Sequence, residues 1–166
     1  MSAISASQVK ELREKTGLGL MDCKKALEEA NGDIDLAIEE LRKTSGIKAS
    51  KKSGRSAADG LIGITNKDND FFMIEVNCET DFVARDDSYI NFTKETLNAY
   101  SDNPSLSLEE LLESGIEDNR EKLVQKLGEN IVVRRLAKSD ESSTSGSYLH
   151  SNNTVSYTHL PLPTSD

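Results

Sequence analysis

The run Phe71-Phe72-Met73-Ile74-Glu75-Val76 most constrains this fold. It is apolar and reads as a strand, yet it passes without a break into Asn77-Cys78-Glu79-Thr80-Asp81 and then Phe82-Val83-Ala84-Arg85. A strand that ends in a polar step and hands over to a helical pattern needs a sheet with a helix beside it. Phe82 stands at that corner next to Asp81. The chain has four Phe and no Trp, so an aromatic ring at such a place is unusual. It is either a core anchor, with Asp81 capping the next helix, or a probe that reaches into a partner. Taken alone, the residues leave both readings open.

Upstream, residues 1–43 predict three short helices. Ser5 or Ser7 can cap the first, Val9 and Leu12 share its face, and Gly17 lies just past its end. Leu20, Cys23, Ala26 and Leu27 recur at helical spacing in the second, which Asn31-Gly32 breaks. Asp33 can cap the third, whose apolar stripe is Ile34, Ala37, Ile38 and Leu41. A domain of about 40 residues is near the lower limit for folding alone, so its core must be tight and aliphatic. Residues 44–58 are small, polar and basic, and read as a linker with room for helix around Ile47 to Lys52.

Residues 59–150 predict an α+β unit. Leu61, Ile62 and Ile64 form one strand, and the turn formers Asn66 to Asp70 lead into the next. Tyr89, Phe92, Thr93, Leu97 and Tyr100 suit a helix that stops before Asn103-Pro104. Ser107 can cap a short helix, Glu117 to Leu127 forms another, and Asn130 to Leu136 is a third strand. Residues 139–147 read as a loop. Residues 151–166, with Leu160-Pro161-Leu162-Pro163, read as a disordered tail. The expected fold class is therefore α+β: a three-helix N-terminal domain, then antiparallel strands with helices on one side.

Charge narrows the function. The net charge of −9 opposes a general nucleic-acid binder, because phosphate contacts need a basic surface. Residues 1–55 hold 11 Lys/Arg and 9 Asp/Glu, a balance of +2. Residues 56–166 hold 9 and 20, a balance of −11, so two units with different surfaces are expected. No apolar run approaches the roughly 20 residues that span a bilayer. Met1 to Glu11 lacks the basic-then-apolar order of a secretory signal. Cys23 and Cys78 form no C-x-x-C pair and are expected as reduced, half-buried thiols in a cytoplasmic protein. Two Cys and two His at these spacings do not supply a structural zinc site.

No phosphate loop, dinucleotide fingerprint or H-E-x-x-H motif occurs. Paired acids such as Asp86-Asp87 and Glu109-Glu110 read as solvated helix faces. A binding protein without catalytic group, metal or cofactor is the stronger class. An adaptor that works through the three helices, or an RNA contact through Lys48 to Arg55, are the alternatives.

Several motifs then occur in a familiar order. Thr16-Gly17-Leu18-Gly19-Leu20-Met21-Asp22-Cys23-Lys24-Lys25-Ala26-Leu27, Ala30-Asn31-Gly32-Asp33-Ile34 and Ala57-Ala58-Asp59-Gly60 resemble bacterial elongation factor Ts. So do Glu75 to Arg85, Gly128-Glu129-Asn130-Ile131, Arg134-Arg135 and Gly146-Ser147-Tyr148-Leu149-His150. The resemblance implies a guanine-nucleotide exchange factor for the GTPase elongation factor Tu. It implies a ubiquitin-associated-like first domain that docks on that GTPase, with Arg13, Met21, Asp22, Cys23, Lys24 and Lys25 in or near the docking surface. It also implies that Asp81 and Phe82 intrude beside the nucleotide and magnesium site, and that His150 faces the same partner. Members continue with a second core subdomain and a small C-terminal module, neither of which follows here. Short members dimerise, so a homodimer is a further expectation. Ser156 to Pro163 matches no part of the family pattern, which points to a truncated chain with a foreign tail.

Overall fold

The computed structural model describes the backbone of residues 4–68, 70–139, 145–150 and 154–159, and side chains up to residue 139. The elements in chain order are α1 (Ala6–Thr16), α2 (Leu20–Glu29), α3 (Ile34–Lys52), β1 (Asp59–Lys67) and β2 (Asp70–Cys78). They continue with α4 (Asp81–Ala84), α5 (Asp87–Asp102), α6 (Leu108–Leu111), α7 (Glu117–Leu127), β3 (Val132–Lys138), β4 (Ser145–His150) and β5 (Thr154–His159). A kinked turn, Leu112–Ile116, joins α6 to α7. The chain divides into two compact units, Met1–Ser56 with Glu117–Ile131 and Ala57–Ile116 with Val132–Asp166. The class is α+β, as the sequence predicts.

In the first unit, local chemistry sets the helix ends. Ser5 and Gln8 form a reciprocal capping box at α1, which satisfies two otherwise orphaned backbone donors. Asp33 Oδ1 accepts from the amides of Asp35 and Leu36 and so starts α3. Val9, Leu12, Leu18, Cys23, Ala26, Leu27, Ala30, Ala37 and Leu41 close the core, flanked by Ile4, Ile34 and Ile38. Each fully buried leucine contributes about 1.5–3 kcal/mol, which a unit this small needs.

The third helix differs from expectation. It does not end near residue 43: the helix that the sequence allowed around Ile47 to Lys52 is continuous with it, and α3 runs on to Lys52. Its buried residues Ala37, Leu41, Ser45 and Ala49 recur every fourth position, and α7 packs along this helix. The small side chains let the two helices approach: a Cβ on Gly46 would lie 3.1 Å from a Glu121 carboxylate oxygen. Arg42 pairs with Asp118 at 2.7 Å. Asn130 Nδ2 donates to the carbonyls of Ser53 and Arg55. By its contacts, α7 therefore belongs with the N-terminal helices rather than with the sheet that the sequence order suggests.

In the second unit, β1, β2 and β3 form an antiparallel sheet in that order. The β1–β2 hairpin pairs Asp59 with Cys78 at one end and Lys67 with Asp70 at the other. At Gly60, φ is 150° and a Cβ would fall 2.2 Å from the Val76 carbonyl oxygen, so only glycine fits. Pairing of β2 with β3 slips between Glu75 and Val76: Arg135 faces Glu75 and Val133 faces Val76, which leaves Arg134 as a bulge. Helix α5 covers the sheet with Tyr89, Phe92, Thr93, Thr96, Leu97 and Tyr100 buried. Tyr100 meets Phe72 edge-on, with ring centroids 5.6 Å apart.

Strands β4 and β5 form a separate hairpin. Residues 145–147 are thus strand rather than loop, and Thr154–His159 is strand rather than disordered tail. Backbone pairing across this hairpin supplies an order that apolar periodicity in the sequence does not announce. The remainder of that expected tail, 151–153 and 160–166, lies outside the described residues.

Candidate functional surfaces

The corner between β2 and α5 is built from short-range polar bonds. Thr80, not Asp81, caps α4: its Oγ1 accepts from the Val83 amide at 3.4 Å. Asp81 is instead the first helical residue, where a carboxylate also suits the helix dipole. Val83 and Ala84 turn inward and are buried. One helical turn cannot bury every side, and the outward positions fall to Asp81 and Phe82. Phe82 is 81% exposed, whereas Phe72, Tyr89, Phe92 and Tyr100 are buried. The core-anchor reading of Phe82 and the cap reading of Asp81 are both overturned. Asp81 pairs with Arg85 one turn on, at 3.0 Å and in solvent. Exposed i,i+4 pairs are worth only about 0.3–0.5 kcal/mol, so this carboxylate can exchange partners at little cost.

Behind the corner lies a polar frame, buried at Asn77, Cys78 and Tyr89 and exposed at Arg134. Tyr89, fully buried in the first turn of α5, donates its hydroxyl to the Val76 carbonyl at 2.6 Å. Burial pushes this phenol well above its ordinary pKa, so it remains a donor. The Cys78 thiol donates to the Thr80 carbonyl at 3.2 Å. Asn77 Nδ2 donates to the Asp59 carbonyl, and Asn77 Oδ1 accepts from the guanidinium of the bulged Arg134. Arg134 also donates to the Ala57 carbonyl at 3.0 Å. Sequence patterning did not mark Tyr89 or Arg134 as more than a core ring and a strand cation. A phenol in the first turn after a polar corner was the available signal.

The N-terminal unit carries a different surface. Met21 is 73% exposed and Leu20 54% exposed at the start of α2, so Leu20 is not part of the buried stripe. Asp22 pairs with Lys48 of α3 at 3.1 Å. Lys24 and Lys25 are exposed and lie 3.7 Å from Glu28 and Glu29 respectively. Arg13 is exposed on the last turn of α1.

Cys23 needs correction. It is fully buried in the core, not half-buried, with its thiol 3.7 Å from the Thr16 hydroxyl. Cys78 is likewise fully buried, not half-buried. His150 closes β4 opposite Thr154, and its side chain lies outside the described part. Among the described residues no three His, Cys, Asp or Glu side chains gather to hold a metal ion. No described helix is long and apolar enough to cross a membrane.

Comparison with known proteins places these surfaces in context. The family model described as Elongation factor TS matches residues 79–159, a range that includes Asp81, Phe82 and His150. That match runs past His150 into residues that the sequence set apart as a foreign tail. The chain is 53% identical over 157 residues to Elongation factor Ts of Marinobacter nauticus, covering 93% of this chain and 54% of the relative. It is 54% identical to the Hahella chejuensis protein over the same length and coverage. It is 52% identical over 150 residues to that of Salmonella agona, covering 90% of this chain and 52% of the relative. The chain spans about half the length of the curated relatives it matches.

Proposed function

The chain belongs to the elongation factor Ts family, and on that premise we propose that it serves translation elongation by promoting guanine-nucleotide exchange on elongation factor Tu. One observation carries this reading: an almost fully exposed Phe82, beside an acid that is only loosely paired, on a corner whose other aromatics are buried. Leaving such a ring in water is unfavourable, and burying it in a partner recovers about 1.5–3 kcal/mol. That energy can offset displacement of the elements that hold nucleotide and magnesium in the GTPase. Asp81 then pairs with groups which that displacement frees.

Met21, Leu20 and the charged residues of α2 make the docking contact, with Asp22 oriented by Lys48. By linkage, a factor that weakens GDP binding to the GTPase is itself weakened by GDP to the same degree. The task asks no acid, base or metal of this chain, and it places the protein in the cytoplasm with the translation machinery.

The test is release of labelled GDP from elongation factor Tu with and without the chain. Acceleration is expected, with Phe82→Ala and Asp81→Ala both slower. A folded chain that gives no acceleration, with both variants indistinguishable from it, overturns the reading.

A further inference from the structure

Phe82 has almost no packing of its own, so something else must set its direction. Helix α4 is a single turn, too short to hold a fixed axis without tertiary support. The segments before and after it are tied at adjacent residues of β2, Asn77 and Val76. On the strand side, Asn77 is held by Arg134 from the β3 bulge and itself holds the Asp59 carbonyl of β1, so three strands are joined at the point where β2 leaves the sheet. On the helix side, the Tyr89 hydroxyl reaches back to Val76, the residue before Asn77. The segment between, Cys78 to Ser88, leaves the sheet and returns to it with Val83 and Ala84 buried, and the phenolic bond links its far end to its origin on β2.

We propose that Tyr89 is a positioning residue for the Phe82 ring, acting through its hydroxyl bond to the Val76 carbonyl. This rests on the exchange reading for its functional meaning, but its structural content is independent of it. The ring of Tyr89 fills the core and its hydroxyl fixes where α5 begins. The start of α5 in turn fixes the angle at which α4 presents Phe82. A phenylalanine would keep the packing and release the angle.

The experiment compares the whole chain with its Tyr89→Phe variant in two measurements. The first is native-state hydrogen exchange of the amides of Val83, Ala84, Arg85 and Asp86, which bond within the corner. The net worth of one hydrogen bond, about 0.5–1.5 kcal/mol, predicts exchange roughly two- to tenfold faster there. The β1–β2 ladder should be unchanged. The second is GDP release from elongation factor Tu, where the maximal rate should fall by a similar factor while the concentration giving half-maximal rate stays within twofold.

Arg134→Lys, which loses the double contact of the guanidinium, should loosen the same amides. Unchanged exchange at the corner, or a uniform rise across the sheet, overturns the proposal. So does an unchanged maximal rate in an active chain. If the parent chain itself does not accelerate release, the exchange reading falls, and hydrogen exchange alone decides the role of Tyr89.

Discussion

Met21 and Phe82 both present apolar surface to water, but the protein holds them in opposite ways. Met21 is a flexible side chain on a ten-residue helix whose other face, Cys23, Ala26 and Leu27, is buried in the core. Phe82 is a rigid ring on a four-residue helix, backed by hydrogen bonds among Asn77, Cys78, Tyr89 and Arg134. A methionine surface tolerates variation in what it meets, because the thioether chain adapts. A ring on a polar frame delivers its contact at one place and one angle. On the proposed exchange reading, the first suits affinity and the second suits a displacement that must happen at a particular spot.

The largest test of this contrast is at Gly60, where the hairpin carries the frame. Gly60→Ala should cost about 3 kcal/mol, because the new Cβ meets the Val76 carbonyl and the backbone is held where φ is positive. Chemical denaturation followed by circular dichroism measures it, and Gly54→Ala is the mild control at an open position.

Next comes Phe82→Ala, which should leave stability within about 0.5 kcal/mol because the ring is exposed. On the proposed exchange reading it should lower the maximal rate of GDP release by roughly 10- to 100-fold, the equivalent of losing one buried phenyl ring. Met21→Ala should act in the other variable. Half-maximal concentration should rise about three- to tenfold with the maximal rate nearly unchanged, as for a single aliphatic contact. A Met21 variant that lowers only the maximal rate would erase the distinction between the two surfaces.

The smallest effect concerns the α6 cap. The Ser107 backbone amide, donating to Glu110 at 2.8 Å, holds that carboxyl below the usual range. A depressed carboxylate pKa stabilises the fold above the unfolded value of about 4.3 and loses that contribution as pH falls through the folded value. Glu110→Gln should therefore lower thermal stability slightly at neutral pH and leave it unchanged at acid pH, so that the acid side of the profile flattens.

Much of this was legible in the residues. Ser5 with Gln8, Asp33, and Ser107 with Glu110 are local signals, because each cap bonds to amides two or three residues away. The apolar stripe of α5 and the strand from Phe71 to Val76 were likewise plain. The continuation of α3 was not. Ser45, Gly46 and Ala49 are small and lack a hydrophobic pattern, and their burial comes from α7, some seventy residues later. Strand β5 was missed for the same reason: what orders it is pairing with β4.

The site divides along the same line. By itself the sequence determined the helices, the strand, the polar step, and that an acid and a ring stand where strand passes to helix. Only the tertiary structure decided that Phe82 faces water, that Cys23 is fully buried, and that Tyr89 and Arg134 frame the corner. The reason is physical: a cap or an amphipathic stripe is settled within one or two helical turns. Which side of a four-residue helix is buried depends on where the sheet and α5 happen to meet it.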